Sequence, residues 1–107
     1  MARSKHVAFL GRLKSTLTSF RIGQKIDFDD IYVNLGNWYQ ASTGVFTAPV
    51  AGLYIVLLAI SSDQNSTPNV EIVRNGVMLC RTVMAVLNAW SVAPCTVVVR
   101  LSQGDQI

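Results

Sequence analysis

Charge is scarce in this chain: only 14% of its residues are Asp, Glu, Lys or Arg, against roughly a quarter in ordinary soluble domains. Disorder requires low hydrophobicity and high net charge, and with half of its residues hydrophobic the chain falls outside that class. Histidine occurs once, as His6 near the amino terminus, so a catalytic His dyad has nothing to draw on elsewhere. There is no Gly-x-Ser-x-Gly elbow, no phosphate-cradling glycine loop and no His/Cys cluster with metal-ligand spacing, which removes the reaction classes that depend on them. The chain reads as a non-enzyme.

Long hydrophobic runs are missing too. The longest, Leu53 to Ile60, falls far short of the roughly 20 residues that a spanning helix needs, and no membrane span is expected. Behind the basic start, Val7 to Leu10 is too short for the core of a secretory signal. If the native protein is secreted, its signal lies outside this sequence. Cysteine is confined to Cys80 and Cys95, each beside a strand and not spaced as a metal knuckle. A disulfide between them would stabilise by about 3 kcal/mol on the chain-entropy model; two buried free thiols are the alternative, and spacing alone does not choose between them.

What is present is a modest net charge of +3, unevenly placed. Arg3, Lys5, Arg12, Lys14, Arg21 and Lys25 all precede the first acidic residue, Asp27. Such a segment attracts anionic glycans and lipid head groups, and Arg12 and Lys14 are carried forward as ligand candidates beside the commoner role of solvated surface cations. No aromatic residues interleave with these charges as in a stacking platform, so nucleic acid is not expected as a partner. Asp27, Asp29 and Asp30 form the one acidic cluster. In an extended segment Asp27 and Asp29 share a side and could hold calcium; the usual role of such residues is to hydrogen-bond backbone amides in turns. No cofactor is required, with calcium as the single candidate.

Strand signals dominate the remainder. Val7 to Leu10 is a short apolar strand, Ile26-Asp27-Phe28 alternates, and Asn34 to Asn37 reads as a turn. Thr43-Gly44 turns, Val45 to Thr47 extends, Pro49 and Gly52 bend the chain, and Leu53 to Ile60 reads as a strand with no polar face. A buried helix is the competing reading of so apolar a run, and the preceding Pro49 and Gly52 with its β-branched and aromatic residues favour strand. An antiparallel sheet with one wet face alternates. Here both faces must be covered, one by the domain's own second sheet and the other by a neighbouring subunit. Val70 to Arg74 and Val77 to Arg81 flank Asn75-Gly76, the dipeptide of a type I′ hairpin turn. Val97, Val99 and Leu101 share a face of a last full strand, after which Gln106-Ile107 begins another. The pattern predicts one all-β domain, an antiparallel two-sheet sandwich or jelly roll.

Polar loops are expected at Ser61 to Asn69 and Ala85 to Ala93. The first holds the glycosylation sequon Asn65-Ser66-Thr67, marking Asn65 as a modification candidate. The second holds Trp90, a candidate for sugar stacking whose alternative is packing at a sheet edge.

Val7-Ala8-Phe9, Ile26-Asp27-Phe28-Asp29, Asn34-Leu35-Gly36 followed by Tyr39, and above all the run Thr43-Gly44-Val45-Phe46-Thr47-Ala48-Pro49-Val50-Ala51-Gly52-Leu53-Tyr54 resemble the globular head of complement component 1q. Asn75-Gly76 and Leu101 to Ile107 continue the motif order. The resemblance covers residues 7–107, leaving residues 1–6 as a flexible extension. It implies a ten-stranded jelly roll related to tumour necrosis factor, assembling as a tight trimer with itself or related heads. Phe9, Phe28, Phe46 and Tyr54 would pack its core, Gly44 and Gly52 would permit tight turns, and Pro49 would fix the bend. The last strands of the family's head are absent from this sequence, as is a collagen-like Gly-x-x repeat before it.

The function this implies is a secreted, extracellular recognition module of innate immunity, lectin-like, binding glycan, lipid or protein ligands through surface loops. An extracellular signalling or adhesion ligand for a receptor protein is the second expectation, and a structural trimerisation head the third.

Overall fold

The computed structural model describes residues 7–14, 23–62, 69–83 and 91–107. Among them are eight strands and no helix: β1 (Ala8–Arg12), β2 (Asp30–Leu35), β3 (Tyr39–Gln40), β4 (Val45–Phe46), β5 (Gly52–Ser62), β6 (Asn69–Arg74), β7 (Val77–Val83) and β8 (Ser91–Leu101). They pair as β1 with β2, β3 with β4, β5 with β8 and β6 with β7, every pair antiparallel. The all-β, antiparallel expectation holds.

The segment from Leu53 to Ile60 lies within β5, a strand whose branched and aromatic residues suit a pleated surface. It pairs with β8 without a register shift from Gly52↔Leu101 to Ser62↔Ser91. Side chains alternate along it, with Tyr54, Val56, Leu58 and Ile60 half-buried and Leu53, Ile55, Leu57 and Ala59 exposed. The hairpin β6–β7 turns at Asn75 and Gly76, whose φ angles of 48° and 84° are both positive, as a type I′ turn demands.

Three expectations need amendment. Residues 30–35 form β2, paired with β1 through a bulge at Leu10/Gly11, so the turn expected from Asn34 is confined to Gly36-Asn37. Asn34 instead uses its side chain to reach along the chain, donating from Nδ2 to the Tyr39 carbonyl at 2.8 Å and accepting from the Tyr39 N–H at 3.2 Å. Ile26 to Phe28 belongs to no strand. The polar loops are also shorter than expected: Ser61 and Ser62 extend β5, Asn69 opens β6, and residues 91–93 belong to β8.

Among the described residues the buried positions are Tyr39, Ala48, Pro49, Ile72, Cys95 and Leu101, with Thr82 the buried polar side chain. The segment 46–48 meets the chain's last residues: Phe46 and Ile107 exchange N–H···O bonds at 3.0 and 2.8 Å, and the Ala48 N–H donates to the Asp105 carbonyl at 2.8 Å. Backbone groups that would be costly to bury unpaired are thereby satisfied where Ala48 is sealed in. A disulfide joins Cys80 of β7 to Cys95 of β8, with Cα atoms 6.4 Å apart, and so ties together two separately paired ribbons.

Candidate binding and assembly surfaces

The register of β5 and β8 sets Leu53 opposite Arg100, Ile55 opposite Val98, Leu57 opposite Thr96 and Ala59 opposite Pro94. All eight residues are exposed. Leu53, Ile55, Leu57 and Val98 are 66%, 77%, 68% and 67% accessible, forming a contiguous apolar stripe with one charge at its end. The opposite face of the same ribbon carries Tyr54, Val56, Leu58, Cys95, Val97, Val99 and Leu101 and turns inward. Among the described residues nothing supplies the second covering expected of this face. Large contiguous apolar patches are rare on monomers and mark interaction surfaces. Beside the stripe, Val7, Val50, Gly52, Leu53, Tyr54 and Ile55 line a shallow groove of 410 Å³.

A second surface lies at the β1–β2 ribbon. Arg12 donates from Nε to Asp30 Oδ2 at 2.8 Å and lies 4.9 Å above the ring of Tyr32, within cation–π range. The Asp30 hydrogen bond raises the guanidinium's pKa further, and the same bond lowers that of Asp30. Arg12 is therefore already partnered twice, leaving Tyr32, 54% accessible, as an exposed aromatic beside a neutralised pair. Lys14 is exposed, and its backbone N–H donates to Asp29 Oδ1 at 2.9 Å.

The structure separates Asp27 from Asp29. Asp29 holds the Lys14 amide, while Asp27 Oδ1 accepts the Tyr39 hydroxyl proton at 3.0 Å. That hydroxyl in turn accepts the Phe28 N–H at 2.9 Å, and the Tyr39 ring stacks on Phe9 with centroids 3.9 Å apart. Burial pushes the Tyr39 phenol up to about 12, reinforced by the neighbouring Asp27 carboxylate. One oxygen of each carboxylate is thus engaged by a different donor, and among the described residues there is no group of three or more His, Cys, Asp or Glu that could hold a metal ion.

Phe9, Phe28, Phe46 and Tyr54 are half-buried; Phe46 meets Tyr54 edge-on at 6.1 Å, and the Tyr54 hydroxyl donates to the Val50 carbonyl at 2.7 Å. That bond closes the bend at the buried Pro49. Gly44 adopts φ +70°, and a Cβ there would lie 3.1 Å from the Ile26 carbonyl oxygen. Gly52 differs from its expected role. It opens β5 opposite Leu101, has no positive φ, and a Cβ there would meet nothing within 4 Å; the turn is made by residues 49–51. Asn65 and Trp90 lie outside the described residues.

The β2 surface was hidden from the sequence because Asp29-Asp30 and Asn34 look like turn residues. The run of β-branched and aromatic residues Ile31-Tyr32-Val33 is the available signal.

A family model for the C1q domain matches residues 8–107. The chain belongs to the C1q domain family. It is 32% identical over 82 residues to the human complement C1q and tumor necrosis factor-related proteins 9A and 9B, a stretch covering 77% of this chain and 24% of each relative. It is 34% identical over 82 residues to the human complement C1q tumor necrosis factor-related protein 2, covering 77% of this chain and 28% of that protein. The chain thus spans about a quarter of the length of these curated relatives. For this C1q domain, membership agrees with the antiparallel all-β architecture and with a jelly roll. No helix among the described residues is long and apolar enough to cross a membrane.

Proposed function

We propose that this C1q domain is a secreted, non-enzymatic recognition head of innate immunity that assembles as a trimer through the outer face of β5–β8 and presents its loops to glycan or lipid ligands. The observation that carries the assembly is the stripe Leu53, Ile55, Leu57 and Val98, 66–77% accessible on one ribbon face. Burying it gains roughly 25 cal/mol per Å² of apolar surface removed from water, and a closed ring of identical chains covers every copy of the stripe. Secretion is supported by the Cys80–Cys95 disulfide, since such bonds persist in oxidising compartments. Recognition by loops follows from the usual division of labour between a rigid scaffold and its connections.

Sedimentation velocity across a concentration series tests the assembly, with a threefold mass expected and a persistent monomer overturning it. Trimeric protein is then probed against bacterial polysaccharides and anionic vesicles; uniformly absent binding overturns the pattern-recognition ligand. The second reading, a ligand for a receptor protein, is favoured by relatives named for tumor necrosis factor. Capture of a defined cell-surface protein by the trimer, with no binding to glycan or vesicle, selects it.

A further inference from the structure

The tip of the β6–β7 hairpin is fastened to the loop after β8 almost entirely through Asn75. Its backbone N–H donates to the Gln106 carbonyl at 2.9 Å. Its side-chain Nδ2 donates to Asp105 Oδ1 at 3.0 Å, and its Oδ1 accepts the Gln106 N–H at 2.9 Å. Asp105 in turn accepts the Ser102 N–H on Oδ2 at 2.8 Å. The residue that follows Asn75 is Gly76, and both are exposed.

An asparagine followed by glycine is a chemically labile pair. With no Cβ on the following residue, its backbone nitrogen has an open approach to the asparagine Cγ. We infer that Asn75 is a deamidation site, and that its conversion permanently unlatches the hairpin tip from the 102–106 loop. The Gly76 nitrogen bonds to Asn75 Cγ, the Cγ–Nδ2 bond breaks, and ammonia leaves carrying the proton from the Gly76 amide. Water then opens the resulting five-membered imide at one of its two carbonyls, giving aspartate or isoaspartate.

The latch governs this chemistry in both directions. While closed, it pins Oδ1 and Nδ2 to residues 105 and 106, which fixes the side-chain rotamer and withholds it from the attack. Once conversion has occurred, the Nδ2–H donor is gone and a carboxylate faces the Asp105 carboxylate where a 3.0 Å hydrogen bond had been. Like charges so placed repel, and isoaspartate adds a backbone atom to a two-residue turn whose geometry depends on both positive φ angles.

The test follows the mass gain at Asn75 by peptide mapping in folded protein, in the Asp105→Ala variant and in chain unfolded in urea with the disulfide reduced. Conversion is expected to be fastest unfolded, slowest in the folded parent and faster again without Asp105. In thermal melts Asn75→Asp is expected to lower Tm by about 4–8 °C, the shift that loss of one favourable contact produces in a domain of this size. The exchanged pair Asn75→Asp/Asp105→Asn restores a donor opposite an acceptor and recovers most of the loss. No conversion in the unfolded chain, equal rates with and without Asp105, an Asn75→Asp variant as stable as the parent, or an exchanged pair no better than Asn75→Asp alone would each overturn the proposal.

Discussion

Tyr39 shows how much one buried polar group can organise. Its ring stacks on Phe9, and its hydroxyl accepts from the Phe28 amide while donating to Asp27, fixing residues 27–28 where no strand ladder does. Tyr39→Phe leaves the Phe28 N–H without its acceptor, and such a loss costs about 1–3 kcal/mol; urea unfolding of the variant measures it. Two half-buried carboxylates act through pH. Ser102 and Asn75 hold the Asp105 carboxyl below the usual range, and Arg12 does the same for Asp30. Because the folded values are depressed, the stabilisation is complete above the unfolded value of about 3.9 and is lost as pH falls through the folded ones. Melting temperatures of the parent are expected to drop on acidification below about pH 4, and Asp30→Asn is expected to flatten that drop. An unchanged slope in the variant would remove Asp30 from the account.

Among elements, the two ribbons β6–β7 and β5–β8 depend on a covalent tie. Cys95 is buried on the inward face of β8 and is bonded to Cys80 of β7. Cys80→Ala/Cys95→Ala is expected to lose about 3 kcal/mol in denaturant unfolding, with little further effect of reductant on the variant. The hairpin's own sequence explains its legibility: Asn75-Gly76 can turn in few other ways, and Glu71 and Arg81 face each other across it in an ion pair. The β1–β2 ribbon was harder to see because its bulge at Leu10/Gly11 shifts the register. Asp30, which looks like a turn residue, serves there as the cross-strand partner of Arg12.

For the molecule as a whole, the outer face of β5–β8 decides between a solitary domain and an assembly. Ile55 is 77% accessible in the single chain, and a surface substitution at such a position normally changes stability by no more than about 0.5 kcal/mol. Ile55→Asp is therefore expected to leave the monomer's fold intact and to abolish the proposed trimer, read by circular dichroism and sedimentation together. A variant that still sediments as the parent would place the interface elsewhere. The proposed function belongs to this scale too, since the proposed ring of heads would multiply weak loop contacts through effective concentration.

The residues alone determined the strand class, the hairpin and the doubly apolar β5, because those follow from alternation, positive-φ turn chemistry and side-chain shape, which are local. Tertiary structure decided that Cys80 meets Cys95, that Asp27 and Asp29 serve different partners, and that Asn75 grips Asp105 and Gln106. Each of these depends on bringing together segments distant in sequence, a matter of register and packing that no single stretch of chain encodes.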